Sequence, residues 1–418
     1  MNRQVRLELR FSFLLVLAAS IAVPEPGRLL QSAVRQRSGA SFPAWNDGAP
    51  RLVKTDGMDF YVSPQGNDAG DGSRHRPWAT ISHAGLAAVP GSTVHVSPGV
   101  YREAVVTTAS GTPTARIVYI SDEKWKAQIV PSSRAVFTWK NTGDYSDIIE
   151  FEIGGSLCGG IGLGGSFQRA ISNNVHNSAE HCGTSDGGSG IGDFNYASRD
   201  NDIIGNYVHD VGISDPLCGQ QGHSLIHGIY QANYGGHIHL NVAANNCAWG
   251  IHLWHAATHA TITNNTVVKN RSGGIVIGSG DSPCSTTGCP GGDDFTIVRN
   301  NIVAYNGSQF MGGWGIREES QDPGQIGVHN QYSHNLSFEN VSTDFLLLKN
   351  HQCANCILGQ DPGFVSFSSG DYHLRKKSPA IGAGTVQDVP PLDSSGNSSP
   401  PNTSVDIGAF PEFGTHQN

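Results

Sequence analysis

Two short motifs alternate along most of this chain, and their spacing constrains the fold more than any other feature. One is an asparagine leading a short β-prone run: NNVHN at Asn173, NYVHD at Asn206, NVAAN at Asn241, NTVVKN at Asn265, NIVAYN at Asn301 and NLSFEN at Asn335. The intervals between them are 33, 35, 24, 36 and 34 residues. The other is a Gly-Ile pair opening a further strand, at Ile161, Ile191, Ile229, Ile251, Ile275 and Ile316. Coils of about 22 to 24 residues, some with inserted loops, stacked as a parallel β solenoid, satisfy both phases. Asparagines at successive turn corners would then bond to the backbone and to one another up the stack. An antiparallel sandwich or propeller accounts for alternating strands but not for two interleaved phases.

Composition agrees. Glycine supplies 53 of 418 residues, 38% are hydrophobic and only 15% are charged. No Gly-X-Y period exists, which excludes collagen, and the charge content is too low for a coiled coil. With 26 basic and 35 acidic residues the net charge is −9. That is the wrong sign for a nucleic-acid binder, and no nucleic-acid partner is expected.

The first 22 residues read as a signal peptide, with Arg3, Arg6 and Arg10 ahead of an apolar run at 11–23. The run is short for a membrane span of about 20 residues. Residues 23–57 read as an irregular lead-in. No second long apolar run follows, so the mature protein is expected to have no membrane span and to be secreted, extracellular or periplasmic. Cys158, Cys182, Cys218, Cys247, Cys284, Cys289, Cys353 and Cys356 are then expected to form disulfides. Cys284 and Cys289, which close a hydrophilic insertion, are the first pair expected.

Near the N-terminus, YVSPQGNDAGDGSRHRPWATISHA (61–84) with VHVSPGVYRE (94–103) resembles the signature of secreted right-handed parallel β-helix proteins of the pectate-lyase-like superfamily. SPAIGAG at 378–384 with DIGAF at 406–410 is similar to the closing motif of many bacterial members. The resemblance implies an all-β fold: a single-stranded right-handed parallel β-helix over 58–412, with a short N-terminal capping helix near 80–89 and a closing segment at 370–412. A monomer is expected. Activity is less constrained, since such helices carry lyases, hydrolases, epimerases and non-catalytic surface proteins.

Strand arithmetic picks out a face. If each Gly-Ile isoleucine points inward, the next residue points outward. Those residues are Gly192, Tyr230, His252, Val276 and Arg317, and two further on Phe194, Ala232, Trp254, Gly278 and Glu319. A one-residue slip would invert the series. HSLIHGIYQAN at 223–233 resembles an HGIY stretch common in these bacterial proteins. Within it, His227 would share the direction of Ile229 unless it lies at a corner.

Tyr230, His252, Arg317, His227 and Glu319 are the candidate catalytic residues. Trp254, His255, Phe194 and Asp193 are the candidate substrate-binding residues. The reading that follows is a polysaccharide lyase acting on a uronic-acid-containing glycan by β-elimination. His252 or Tyr230 would serve as base and acid, and Arg317 as carboxylate clamp. An inverting glycoside hydrolase would need a carboxylate pair from Asp193, Asp210, Glu318 and Glu319. A non-catalytic glycan- or surface-binding β-helix is the third reading. No cofactor is assigned from the sequence; Ca2+ could be held by Asp200, Asp202, Asp293 or Asp294.

Overall fold

A computed structural model describes residues 58–388, apart from 133, 181, 183–186, 221–224, 256, 281–291 and 321–324, together with 405–410. The expected signal peptide, the lead-in and the Cys284–Cys289 pair lie outside these residues. The described chain is a right-handed parallel β-helix built from three long parallel sheets of eleven, nine and ten strands. Each full coil contributes one strand to each sheet, so a strand inside the stack pairs with its counterparts one coil before and after.

The isoleucines of the Gly-Ile pairs form a single interior column. Ile161 aligns with Ile191, Ile191 with Ile229, Ile229 with Ile251, Ile251 with Ile275 and Ile275 with Ile316. All six are fully buried. Burying each such side chain contributes roughly 1.5–3 kcal/mol, and a slip of register would expose the whole column.

The preceding glycine has a steric cause. A Cβ on Gly228 would stand 2.7 Å from the Asn246 Nδ2, and one on Gly250 would stand 2.3 Å from the Val267 Cγ1. The glycine therefore turns into the interior, as does the isoleucine after it, and the strict in–out alternation breaks at this corner.

Asparagines stack at the other corners. Asn173, Asn206, Asn241, Asn265, Asn301 and Asn335 are fully buried or nearly so. From Asn173 to Asn301, each backbone N–H and side-chain Nδ2 donates to the Oδ1 of the next asparagine, at 2.9–3.0 Å. A second ladder, not recognised from sequence, runs Asn246, Asn270, Asn306 and Asn340 with the same bonds. Asn264, Lys269, Asn300 and Tyr305, each just before a ladder position, have φ between 54° and 60°. This left-handed turn is costly for a side chain, and the paired amide bonds hold it in place.

The N-terminal end is covered by the helix Ile81–Ala87. Thr80 caps it by accepting from the His83 N–H, and the Glu103 carboxylate accepts from the N–H groups of Ile81 and Ser82. Ile81 and Ala84 are buried.

The segment expected to close the solenoid packs along its side instead. Phe364, Tyr372, Ala380, Ile407 and Ala409 cover Val242, Ala244, Val268, Ile302, Ala304 and Leu336, which point outward from the ten-stranded sheet. The Asn264 Nδ2 donates to the Asp406 carbonyl, and the Gly408 N–H to the Asn300 carbonyl. No helix among the described residues is long and apolar enough to cross a membrane.

Candidate functional site

The nine-stranded sheet carries the outward strip expected from sequence. Gly192 aligns with Tyr230, Tyr230 with His252, His252 with Val276 and Val276 with Arg317. Adjacent coils lie about 4.8 Å apart. Tyr230 and His252 are thus neighbours, Arg317 stands two coils beyond His252, and Tyr230 and Arg317 are separated by about 14 Å. The first pair can reach one sugar ring; Tyr230 and Arg317 serve different positions along a chain.

His227 belongs to this face. Because the strand turns at Gly228, its ring emerges beside the strip, 4.0 Å from His252 and 5.8 Å from Tyr230 between centroids. The Tyr230 and His252 rings are 5.5 Å apart. Desolvation pushes the His227 imidazole down to about 3 and holds His252 well below the ordinary histidine value, so both are neutral at neutral pH. The Nδ1 atoms of both rings are buried without a hydrogen-bond partner among the described residues.

Aromatic side chains line the strip on both sides. Phe194 stacks on Tyr230 at 5.0 Å, and Trp254 stacks on His252 at 5.4 Å. Trp254 lies over Gly278, where a Cβ would come within 2.2 Å of its ring. His255 faces Tyr230 at 6.4 Å and Tyr196 at 5.0 Å. The same glycine corner brings out Trp249 and Trp314, which precede Gly250 and Gly315; their rings lie 6.0 Å apart. Sequence reasoning passed over this pair, although their place before the corner glycine is the signal that marks them.

Arg317 and Glu319 pair with each other, Nη2 to Oε1 at 3.2 Å. The guanidinium also lies over the Trp314 ring at 4.2 Å.

Asp193 does not face the groove. It aligns with Leu163 and Gln231 in the inward column and is almost fully buried. There it accepts from the Asn201 Nδ2 at 2.7 Å and the Ser198 hydroxyl at 3.0 Å. Burial pushes its carboxyl up to about 7 against the lowering effect of these bonds. The alternation that sends Gly192 outward sends Asp193 inward, so its expected contact with substrate is corrected to an interior role.

Glu318 also points inward, and accepts from the Tyr332 hydroxyl, the Asn330 Nδ2 and the Leu348 N–H, with the His351 Nδ1 at 2.8 Å. Asp210 belongs elsewhere, bonded to His209 and Asn245. Glu319 is therefore the one outward carboxylate among the described residues of the strip.

The four acidic residues considered for calcium do not assemble. Asp200 is paired with Arg199, Asp202 with His237 and Asp294 with His329, while Asp293 is buried inside and bonded to Thr296. Among the described residues no three metal-ligating side chains converge.

Disulfides anchor loops beside the strip. Cys158 joins Cys182, and Cys218 joins Cys247, just ahead of the strands Gly159–Leu163 and Trp249–Leu253. Cys353 joins Cys356 in the last coil.

Comparison with known proteins places the fold but leaves the family open. Residues 237–396 match a family described as disaggregatase related, and residues 64–108 match one described as a protein of unknown function (DUF1565). A Bacillus subtilis (strain 168) protein described as "Uncharacterized protein YwoF" is 37% identical over 60 residues, which cover 14% of this chain and 13% of that protein's length. Among solved structures, pectate lyase Pel9A aligns with a TM-score of 0.57 at 17% identity, covering 84% of this chain and 96% of its own. A rhamnogalacturonan lyase aligns at 0.50 and 14% identity, covering 75% and 92%. At these identities the likeness is one of fold.

Proposed function

We propose that this protein is an extracellular polysaccharide lyase that cleaves a uronic-acid-containing glycan by β-elimination on the outer face of its nine-stranded sheet. The observation that carries this reading is the placement of Tyr230 and His252 on adjacent coils, 5.5 Å apart between rings, on a face with no second outward carboxylate among the described residues. Elimination needs a base for the proton beside the carboxyl carbon and an acid for the departing oxygen. The neutral His252 imidazole suits the first role and the Tyr230 hydroxyl the second. Hydrolysis by inversion requires two carboxylates facing one bond. Here Asp193 and Glu318 are turned into the solenoid, which disfavours that route.

Trp254 and Phe194 offer ring faces on which sugars stack, with His255 at the margin. Arg317, held by Trp314 and Glu319, would meet the glycan two coils along from His252. The disulfides suit an oxidising, extracellular setting.

The test is incubation with a panel of uronans while following ultraviolet absorbance and reducing ends. A rise in both supports elimination. Reducing ends without absorbance would turn the reading to hydrolysis, and binding with neither would make the face a glycan-binding surface.

A further inference from the structure

The first asparagine ladder ends on a disulfide. Leu336 aligns with Ile357, so the position one coil beyond Asn335 is Cys356 rather than another asparagine. Asn335 keeps the two donors that its predecessors turn on the next Oδ1. Its backbone N–H donates to the Cys356 Sγ at 3.2 Å, and its Nδ2 donates to the Cys353 Sγ at 3.5 Å. The cysteines sit at the corner joining the strands Cys353–Ala354 and Ile357–Leu358. These are the last strands of the eleven- and ten-stranded sheets, and among the described residues no strand pairs beyond them.

This bond differs from the other two in what it holds and in how it can be reached. Cys158–Cys182 and Cys218–Cys247 are separated by 24 and 29 residues, and one cysteine of each, Cys182 or Cys247, is buried. Cys353 and Cys356 are only 3 apart, so their bond constrains the unfolded chain least. Both are half-buried, and Ala354 and Asn355 between them are exposed. The Asn335 donors favour breaking the bond, because a departing thiolate accepts a charge-assisted hydrogen bond. The Arg271 guanidinium offers the same to Cys218, but expelling Cys218 requires attack on the buried Cys247.

We propose that Cys353–Cys356 is a site of reversible exchange with a dithiol reductant, and that it latches the last coil. A reductant thiolate attacks the Cys353 Sγ, and the S–S bond breaks with its electron pair on the Cys356 Sγ, beside the Asn335 N–H. The second reductant thiol then attacks its own sulfur in the mixed disulfide and releases Cys353. The reductant leaves as a disulfide, oxidised by two electrons, and its two thiol protons end on Cys353 and Cys356. The freed corner no longer ties the last two strands together. The same coil carries Leu348 and His351, which hold Glu318 between Arg317 and Glu319 on the strand Trp314–Ser320. Reduction therefore loosens the C-terminal end of the groove sheet.

The experiment treats the whole mature protein, without denaturant, with a small dithiol, and traps free thiols by alkylation for location by peptide mass. Cys353 and Cys356 should be labelled first, about 10-fold or more faster than the other two described pairs. Amide hydrogen exchange over 343–358 should then rise about 10-fold and return on reoxidation. A variant carrying Cys353→Ser and Cys356→Ser should exchange like the reduced parent with no dithiol present. Labelling of Cys353 and Cys356 together with the other pairs, or after them, would overturn the exchange site. Selective reduction that leaves exchange over 343–358 unchanged would overturn the latch.

Discussion

Asp193 and His227 titrate in opposite senses, which makes them separable by pH. The Asp193 carboxyl has a folded value of about 7 against 3.8 for the ordinary group. The folded state holds that proton more tightly, so its contribution to stability is full at low pH and is lost as pH rises from about 4 through about 7. His227 is depressed to about 3 from 6.5. The unfolded state therefore binds the proton first, and stability falls as pH drops below about 6.5. Asp193→Asn should remove the loss on raising the pH, which amounts to roughly 4 kcal/mol by about pH 8, and leave glycan affinity unchanged. His227→Gln should recover about 2 kcal/mol at about pH 5 relative to the parent. Thermal melts across this pH range check both, and profiles parallel to the parent's would refute the assignments.

At the scale of strands and loops, the Gly-Ile corner explains what could be read in advance. The isoleucine column follows from periodicity alone, and with it the outward row of Tyr230, His252 and Arg317, as the observed register bears out. His227, Trp249 and Trp314 were harder, because a two-residue period fails where a glycine turns inward to make room for an asparagine ladder. That ladder runs from coil to coil along a corner, so the cause is tertiary and absent from the local pattern. Asp193 shows the converse: its inward parity was available, and only its carboxylate chemistry suggested the groove. The loops beside the strip depend on covalent anchors. Replacing Cys218 and Cys247 by alanine should cost about 2–4 kcal/mol and weaken glycan binding by loosening the 212–220 turn beside Arg271. Chemical denaturation and a binding titration check this; unchanged binding would detach that loop from the site.

For the molecule as a whole, stability is a sum of coil-to-coil contacts, and the C-terminal segment adds a lateral brace. Ile407 is buried against the outward apolar row of the ten-stranded sheet. Ile407→Asp places a charge there and should destabilise by about 3 kcal/mol or more. It should also expose an apolar patch detectable by a fluorescent dye. The nine-stranded sheet lies on another side of the coil, so elimination by the remaining folded protein should persist. Equal melting temperatures for variant and parent would show that the brace contributes nothing.

The central claim is that Tyr230 and His252 perform elimination together, and the most direct measurement is the rate of unsaturated product from parent, Tyr230→Phe and His252→Gln on the best uronan of the panel. Each variant should bind that glycan about as well as the parent while losing roughly 100-fold or more in turnover. Turnover within a few-fold of the parent in both variants would contradict the claim.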